Sequence, residues 1–249
     1  MGLSLLIAQT ALAFDHEYQN LSTILKAHLS YQEKQTLVNY KELKKAPERL
    51  NAQVAELSGV TKTEFNDFSK DQQIAFLINA YNAFTLELIV DYYPVKSIKK
   101  IGSFFQSPWK KEFFTLLGEK TSLDMIENDM LRSNYPEPRV HFALNCASIG
   151  CPSLRPQPFV AERLNQQFEE ATRDFLNNQE KNHYDQANKT LFLSKIFDWY
   201  ESDFEKSHGS VAAFAASYLD ATKDILTAIK TEKTDISYLS YDWSLNEKK

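Results

Sequence analysis

Ser69-Lys-Asp-Gln-Gln-Ile-Ala-Phe-Leu-Ile-Asn-Ala-Tyr-Asn-Ala-Phe-Thr-Leu-Glu-Leu-Ile-Val-Asp-Tyr-Tyr-Pro94 is the stretch whose reading decides the fold. Both of its ends are marked. Ser69 with Gln72 three positions on has the spacing of a capping box, and Pro94 disfavours helical geometry at the residue before it. These signals predict a helix over 71–93. Between them Ile74, Phe76, Leu77, Ile78, Tyr81, Phe84, Leu86, Leu88, Ile89 and Val90 leave almost no polar face. A helix apolar all round is a buried one, so this is the expected centre of the molecule. Asn79 and Asn82 lie three apart on one face of it, where a buried amide needs hydrogen-bond partners. They are either structural pins or, with Tyr81, part of a substrate site.

Working outward toward the N-terminus, Leu21, Ile24, Leu25 and His28 suggest a peripheral helix within 15–31. Residues 36–43 read as a short strand or extended entry, and 46–57 as a helix stopping near Gly59. Toward the C-terminus a helix over 123–132 has Thr121 or Ser122 as cap and Asp124 in its first turn. Glu127 shares or borders its inner face with Leu123, Ile126 and Met130, so its carboxylate wants a partner. Residues 139–146 follow a Pro-Glu-Pro break, are rich in strand formers and are expected to be a strand. A helix after Pro158 reaches about residue 177 with Phe168, Ala171 and Phe175 inward. Strands over 190–193 and 236–243, a turn or helix over 198–205 and a short helix over 211–218 complete the pattern. With no repeat or linker, the expectation is one helix-rich α+β domain over 14–249, its small, mostly antiparallel sheet packed on the buried helix.

Hydrophobic residues make up 43% of the 249 and aromatics 13%, enough for a sizeable core. The net charge is −5 and the lysines are scattered, so nucleic acid is not an expected partner. Leu3-Ser-Leu-Leu-Ile-Ala-Gln-Thr-Ala-Leu-Ala13 reads as a signal peptide cut after Ala13, too short to span a bilayer. That places the mature chain in the periplasm or outside the cell; the alternative is the first helix of a cytosolic protein. The five histidines show no metal-ligand spacing, and neither metal nor cofactor is expected.

Chemistry concentrates in His141-Phe-Ala-Leu-Asn-Cys-Ala-Ser-Ile-Gly-Cys151, which holds an imidazole, two thiols, an amide and a hydroxyl. A thiol becomes a strong nucleophile when a neighbouring base stabilises its thiolate. On a regular strand His141 and Asn145 face one side and Cys146 the other, whereas the Ser-Ile-Gly turn can return Cys151 to the His141 face. Cys151 is therefore the preferred nucleophile, and a bulge at Asn145 would transfer the role to Cys146. Alternatively the two form a disulfide across the turn. Glu127 is expected either to orient His141 or to pair with Arg132 or Arg139. Asn79, Asn82 or Asn145 could donate to an oxyanion, and Ser148 and Arg155 join the candidate substrate-binding set.

Phe76-Leu-Ile-Asn-Ala-Tyr-Asn-Ala83, Ser122-Leu-Asp-Met-Ile-Glu127, His141-Phe-Ala-Leu-Asn-Cys-Ala-Ser-Ile-Gly-Cys-Pro152, Leu193-Ser-Lys-Ile-Phe-Asp-Trp-Tyr200 and Tyr241-Asp-Trp-Ser-Leu-Asn246 resemble the bacterial and plant family named domain of unknown function 547. The resemblance covers roughly 36–246. It implies a papain-like or transglutaminase-like fold in which a strand delivers the histidine. The chain departs from that pattern in carrying Asn79 and Asn82, and no cysteine, on the central helix, and in having Asn128 where members often have histidine. The leading expectation is a thiol-dependent hydrolase or transferase acting on an amide or thioester of a peptide-like substrate. The alternatives are a non-catalytic module for a peptide or a small thiol such as glutathione, and a thiol/disulfide redox protein.

Overall fold

The computed structural model describes residues 13–32, 35–102, 106–231 and 234–248. The expected signal peptide, apart from Ala13, lies outside the described residues. The chain is a helix-rich α+β protein with small, mainly antiparallel sheets. Its N-terminal part comprises α1 (Gln19–His28), the hairpin β1 (Leu29–Gln32) and β2 (Gln35–Val38), α2 (Tyr40–Lys45), α3 (Glu48–Gly59), α4 (Lys62–Asp67) and α5 (Lys70–Tyr92). A second antiparallel pair, β3 (Phe114–Leu116) and β4 (Glu119–Thr121), leads into a π-helix, Met125–Arg132, and a tight 3-10 turn, Pro138–Phe142. The C-terminal part holds α6 (Leu164–Leu176), β5 (His183–Asp185), β6 (Thr190–Leu193), α7 (Lys195–Trp199), α8 (Glu201–His208), α9 (Val211–Tyr218), α10 (Lys223–Lys230) and β7 (Asp235–Tyr238). In the third sheet β6 pairs antiparallel with β5 and parallel with β7.

Helix α5 forms as its sequence predicts. Gln72 N–H donates to Ser69 Oγ at 3.2 Å and Ser69 N–H to Gln72 Oε1 at 2.9 Å, so the capping box closes in both directions. From Ile74 to Val90 only Glu87 escapes full burial, because α2, α3 and the π-helix pack around the helix. It is long and apolar enough to cross a membrane, yet 89% of its most apolar window is buried inside the protein. Its hydrophobicity therefore serves the core.

Two hydrophobic clusters build the interior. One gathers α1, α3 and α5 with Val140, Ala143 and Leu144, and the other gathers α6 to α9 with Phe142. The strand expected over 139–146 is absent for this reason. Val140, Phe142 and Leu144 alternate like a strand, but their side chains part toward two cores instead of two faces of a sheet. Pro138 opens the turn, Glu137 Oε1 accepts from Arg139 N–H at 3.1 Å, and the Val140 carbonyl accepts from Ala143 and Leu144 N–H. The predicted strand over 236–243 is likewise shorter. After Tyr238 the chain runs extended across the 147–150 loop, where Ile149, Gly150 and Asn246 N–H donate to Ser244, Asp242 and Ala147 carbonyls at 2.8–3.2 Å.

Candidate functional site

Two asparagines of α5 position the loop that carries the chemistry. Asn82 donates to the Ala143 carbonyl at 3.0 Å and accepts from Asn145 N–H at 2.9 Å; Asn79 grips Phe159 N–H and C=O in the same way. Asn145 continues the chain, donating to the Pro152 carbonyl at 2.8 Å and accepting from Ala147 N–H at 2.9 Å. That last bond holds Ala147 at φ 59°, a left-handed conformation that a non-glycine residue rarely adopts. All three amides are buried and engaged with backbone, so the structure uses them as pins.

The pinned loop brings the sulfurs of Cys146 and Cys151 to disulfide distance, with Cα atoms 6.3 Å apart. Cys151 is 1% exposed, whereas Cys146 is half-buried. Cys151 Sγ accepts from Cys146 N–H at 3.0 Å and from Tyr241 Oη at 3.2 Å, with Ser148 Oγ also at 3.2 Å. Cys146 Sγ lies 3.3 Å from Ser148 Oγ and 3.4 Å from Tyr241 Oη. Gly150 is required here because a Cβ would meet the Tyr241 ring at 2.8 Å. Burial drives the Tyr241 phenol well above its ordinary range, so it stays a neutral donor beside the sulfurs. Behind the loop, Lys181 Nζ donates to the Cys151 carbonyl and to Gln35 Oε1. Burial pushes this amine down to about 7.

His141 is 3% exposed, and its acid partner is Asp203 of α8. Nε2–H donates to Asp203 Oδ2 at 2.9 Å, and Arg132 Nε donates to the same oxygen at 2.7 Å. Burial acts to raise the Asp203 carboxyl, but the hydrogen bonds from His141 and Arg132 and the guanidinium charge outweigh it and hold it well below the usual carboxylate range. An ionised carboxylate only accepts, so Nε2 carries a proton, and in the neutral form of the ring it is Nδ1 that presents a lone pair. Nδ1 is buried and has no hydrogen-bond partner among the described residues. Tyr200 stacks on the imidazole with ring centroids 3.8 Å apart.

Glu127 therefore does not orient His141, as the sequence suggested, nor does it pair with an arginine. Its Oε1 accepts from Tyr200 Oη at 2.5 Å, while Arg132 is taken by Asp203 and Arg139 by Glu137. The π-helix turns Glu127 toward α8, placing it in contact with the stacking tyrosine instead of the imidazole. Arg155 is also elsewhere: it pairs with Glu170 at 2.6 Å and lines a separate cavity beside Lys181. The preference for Cys151 as nucleophile loses its premise with the missing strand, and exposure favours Cys146.

His141, both cysteines, Glu127 and Tyr81 line one cleft of about 370 Å³. All three tryptophans of the chain, Trp109, Trp199 and Trp243, line it as well. Rings run in series from Trp199 to Tyr241 at 4.9 Å, to Trp243 at 4.5 Å and to Trp109 at 5.5 Å. The sequence reading missed Asp203, the aromatic wall, and the roles of Tyr200 and Tyr241. The available signal was that Tyr200, Tyr241, Trp199 and Trp243 all fall inside the quoted motifs. Among the described residues no group of three or more His, Cys, Asp or Glu is arranged to hold a metal ion.

Fold and site together define an α+β protein in which a cysteine pair and a histidine held by an aspartate behind it line an aromatic-walled cleft. Residues 65–176 match the model of the family described as "Protein of unknown function, DUF547". The chain is similar to that family over the segment that holds α5, Glu127, His141 and both cysteines; Asp203, Tyr241 and two of the tryptophans lie beyond it. No curated protein and no solved structure matches the chain.

Proposed function

We propose that the cleft performs thiol-dependent acyl transfer, as a hydrolase or transferase on an amide or thioester of a peptide-like substrate. The observation that carries the reading is His141: Asp203 fixes one ring nitrogen, the other has no partner among the described residues, and the residue lines the same cleft as both cysteines. A thiol reductant first opens the Cys146–Cys151 bond, leaving two thiols and an oxidised reductant. Cys146 then gives its proton to His141 Nδ1 and its sulfur attacks the substrate carbonyl carbon. His141 returns the proton to the leaving amine or thiol as the C–N or C–S bond breaks. Water or another acceptor, deprotonated by His141, releases the acyl group and restores the thiol. The closed disulfide is the resting, inactive state.

A papain-like kinship belongs to the same proposal. It is supported by a largely buried helix and an acid-held histidine that reach one cleft through Tyr81 and His141, although the thiol lies on the loop and, among the described residues, no strand delivers the histidine. Export to the periplasm or outside the cell is proposed from the N-terminal sequence alone. A second reading, a reversible thiol/disulfide protein, is favoured by the unequal exposure of the two sulfurs, since the more accessible one is the natural point of exchange.

The test is mass spectrometry of protein treated with p-nitrophenyl acetate, before and after dithiothreitol. The expected result is acetylation at Cys146 in the reduced protein only, abolished by Cys146→Ser and slowed about a hundredfold by His141→Asn. Two free thiols with no acylation would overturn acyl transfer. A bond that opens at a moderate potential would then leave the redox reading, and unreactive sulfurs a binding module.

A further inference from the structure

We infer that the cleft selects a ligand carrying a cationic side chain, an ammonium or guanidinium on a peptide, beside the bond presented to Cys146. The inference rests on reading this cleft as the substrate site and adds the chemistry of what enters it. Its walls are aromatic faces in series, the surfaces that attract a cation through the ring quadrupole. The protein already shows the interaction: Lys99 Nζ sits 3.9 Å from the centroid of the Trp243 ring at the edge of the cleft. Lys99 is exposed, and among the described residues no carboxylate pairs with it.

The second observation is a carboxylate with nothing to do. Asp124 lines the cleft, is half-buried, makes no capping bond to the π-helix that follows it, and has no hydrogen bond or ion pair among the described residues. Glu127, one turn on, uses one oxygen for Tyr200. Lysine, arginine, aspartate and glutamate contribute Lys99, Asp124 and Glu127 to the lining, so carboxylates outnumber cations there. A ligand cation that displaced Lys99 from Trp243 would find an aromatic face on one side and an unpaired carboxylate in the same cleft. An anionic ligand would meet two carboxylates and lose the ring contact.

The arrangement makes Lys99 a competitor of the ligand, and this gives the test its sign. Tryptophan fluorescence of the full chain is titrated with Nα-acetyl-lysine amide, its neutral analogue Nα-acetyl-norleucine amide and Nα-acetyl-glutamate amide. The lysine derivative is expected to bind about fivefold tighter than the neutral one. Lys99→Met should tighten it further, and Asp124→Asn should remove the preference. Thermal melting of both variants verifies folding. Equal affinities, preference for the acidic derivative, no saturable binding, or weaker binding in Lys99→Met would each overturn the inference. Binding is read with the disulfide closed, so it fails or holds independently of acyl transfer: a cation preference without thiol chemistry leaves a selective binding module, and thiol chemistry without the preference removes only this inference.

Discussion

At the scale of single residues, the functional argument turns on which carboxylate serves His141. Asp203 fixes the tautomer through Nε2, whereas Glu127 holds Tyr200 against the ring face. Asp203→Asn is expected to slow alkylation of reduced Cys146 about a hundredfold at neutral pH, because an amide can donate to Nε2 and trap the wrong tautomer. Glu127→Gln should leave that rate near the parent value and cost about 1–2 kcal/mol in urea unfolding, the worth of a buried charge-assisted hydrogen bond. Reversed results would restore Glu127 as the orienting acid. His141 and the cysteines were legible as a site because they crowd into one short segment. Asp203 was not, since it lies 62 positions from His141 and no local periodicity links a helix carboxylate to a turn that distant.

At the scale of elements, α5 was readable almost to the residue because a capping box and a proline bound it. Its asparagines were readable only as buried amides in need of partners; which backbone they grip depends on chain segments that return from far away. Asn82→Ala leaves the Ala143 carbonyl and Asn145 N–H unpaired in the core, and a loss of about 2–4 kcal/mol is expected in chemical denaturation. The 139–146 segment was misread because alternating apolar residues satisfy a pleated sheet and a turn between two cores equally well. Short elements such as β5 and α10 are not legible in the sequence, since three and eight residues fall short of the window of about 11–18 over which a period can be recognised. Glu87 supplies an independent check on the burial of α5. Burial, with Asp91 nearby, pushes its carboxyl up to about 7. The folded state thus holds the proton more tightly than the unfolded chain, and stability is lost as pH rises from about 4.3 toward 7. Glu87→Gln should raise the melting temperature at pH 8 and change it little at pH 4; no difference at pH 8 would contradict the assigned burial.

At the scale of the molecule, the site is where two hydrophobic cores meet and where the C-terminal segment crosses back over the cysteine loop. Asp203 ties three parts together, its α8 carboxylate accepting from the His141 turn and from Arg132 of the π-helix. Since its folded-state carboxyl lies below the unfolded value, its contribution is complete above about pH 3.9 and is lost as pH falls below that. Acid unfolding monitored by circular dichroism should therefore flatten in Asp203→Asn below pH 4, and an unchanged acid limb would argue against the tie. The central claim is that the His141–Asp203 pair serves the thiol of Cys146. Its most direct test is the pH dependence of iodoacetamide alkylation at Cys146 in the reduced protein, followed by peptide mapping. The account predicts an inflection well below the ordinary thiol value of about 8.5, moving back toward it in His141→Asn. The same profile in the parent and in the His141 variant would contradict it.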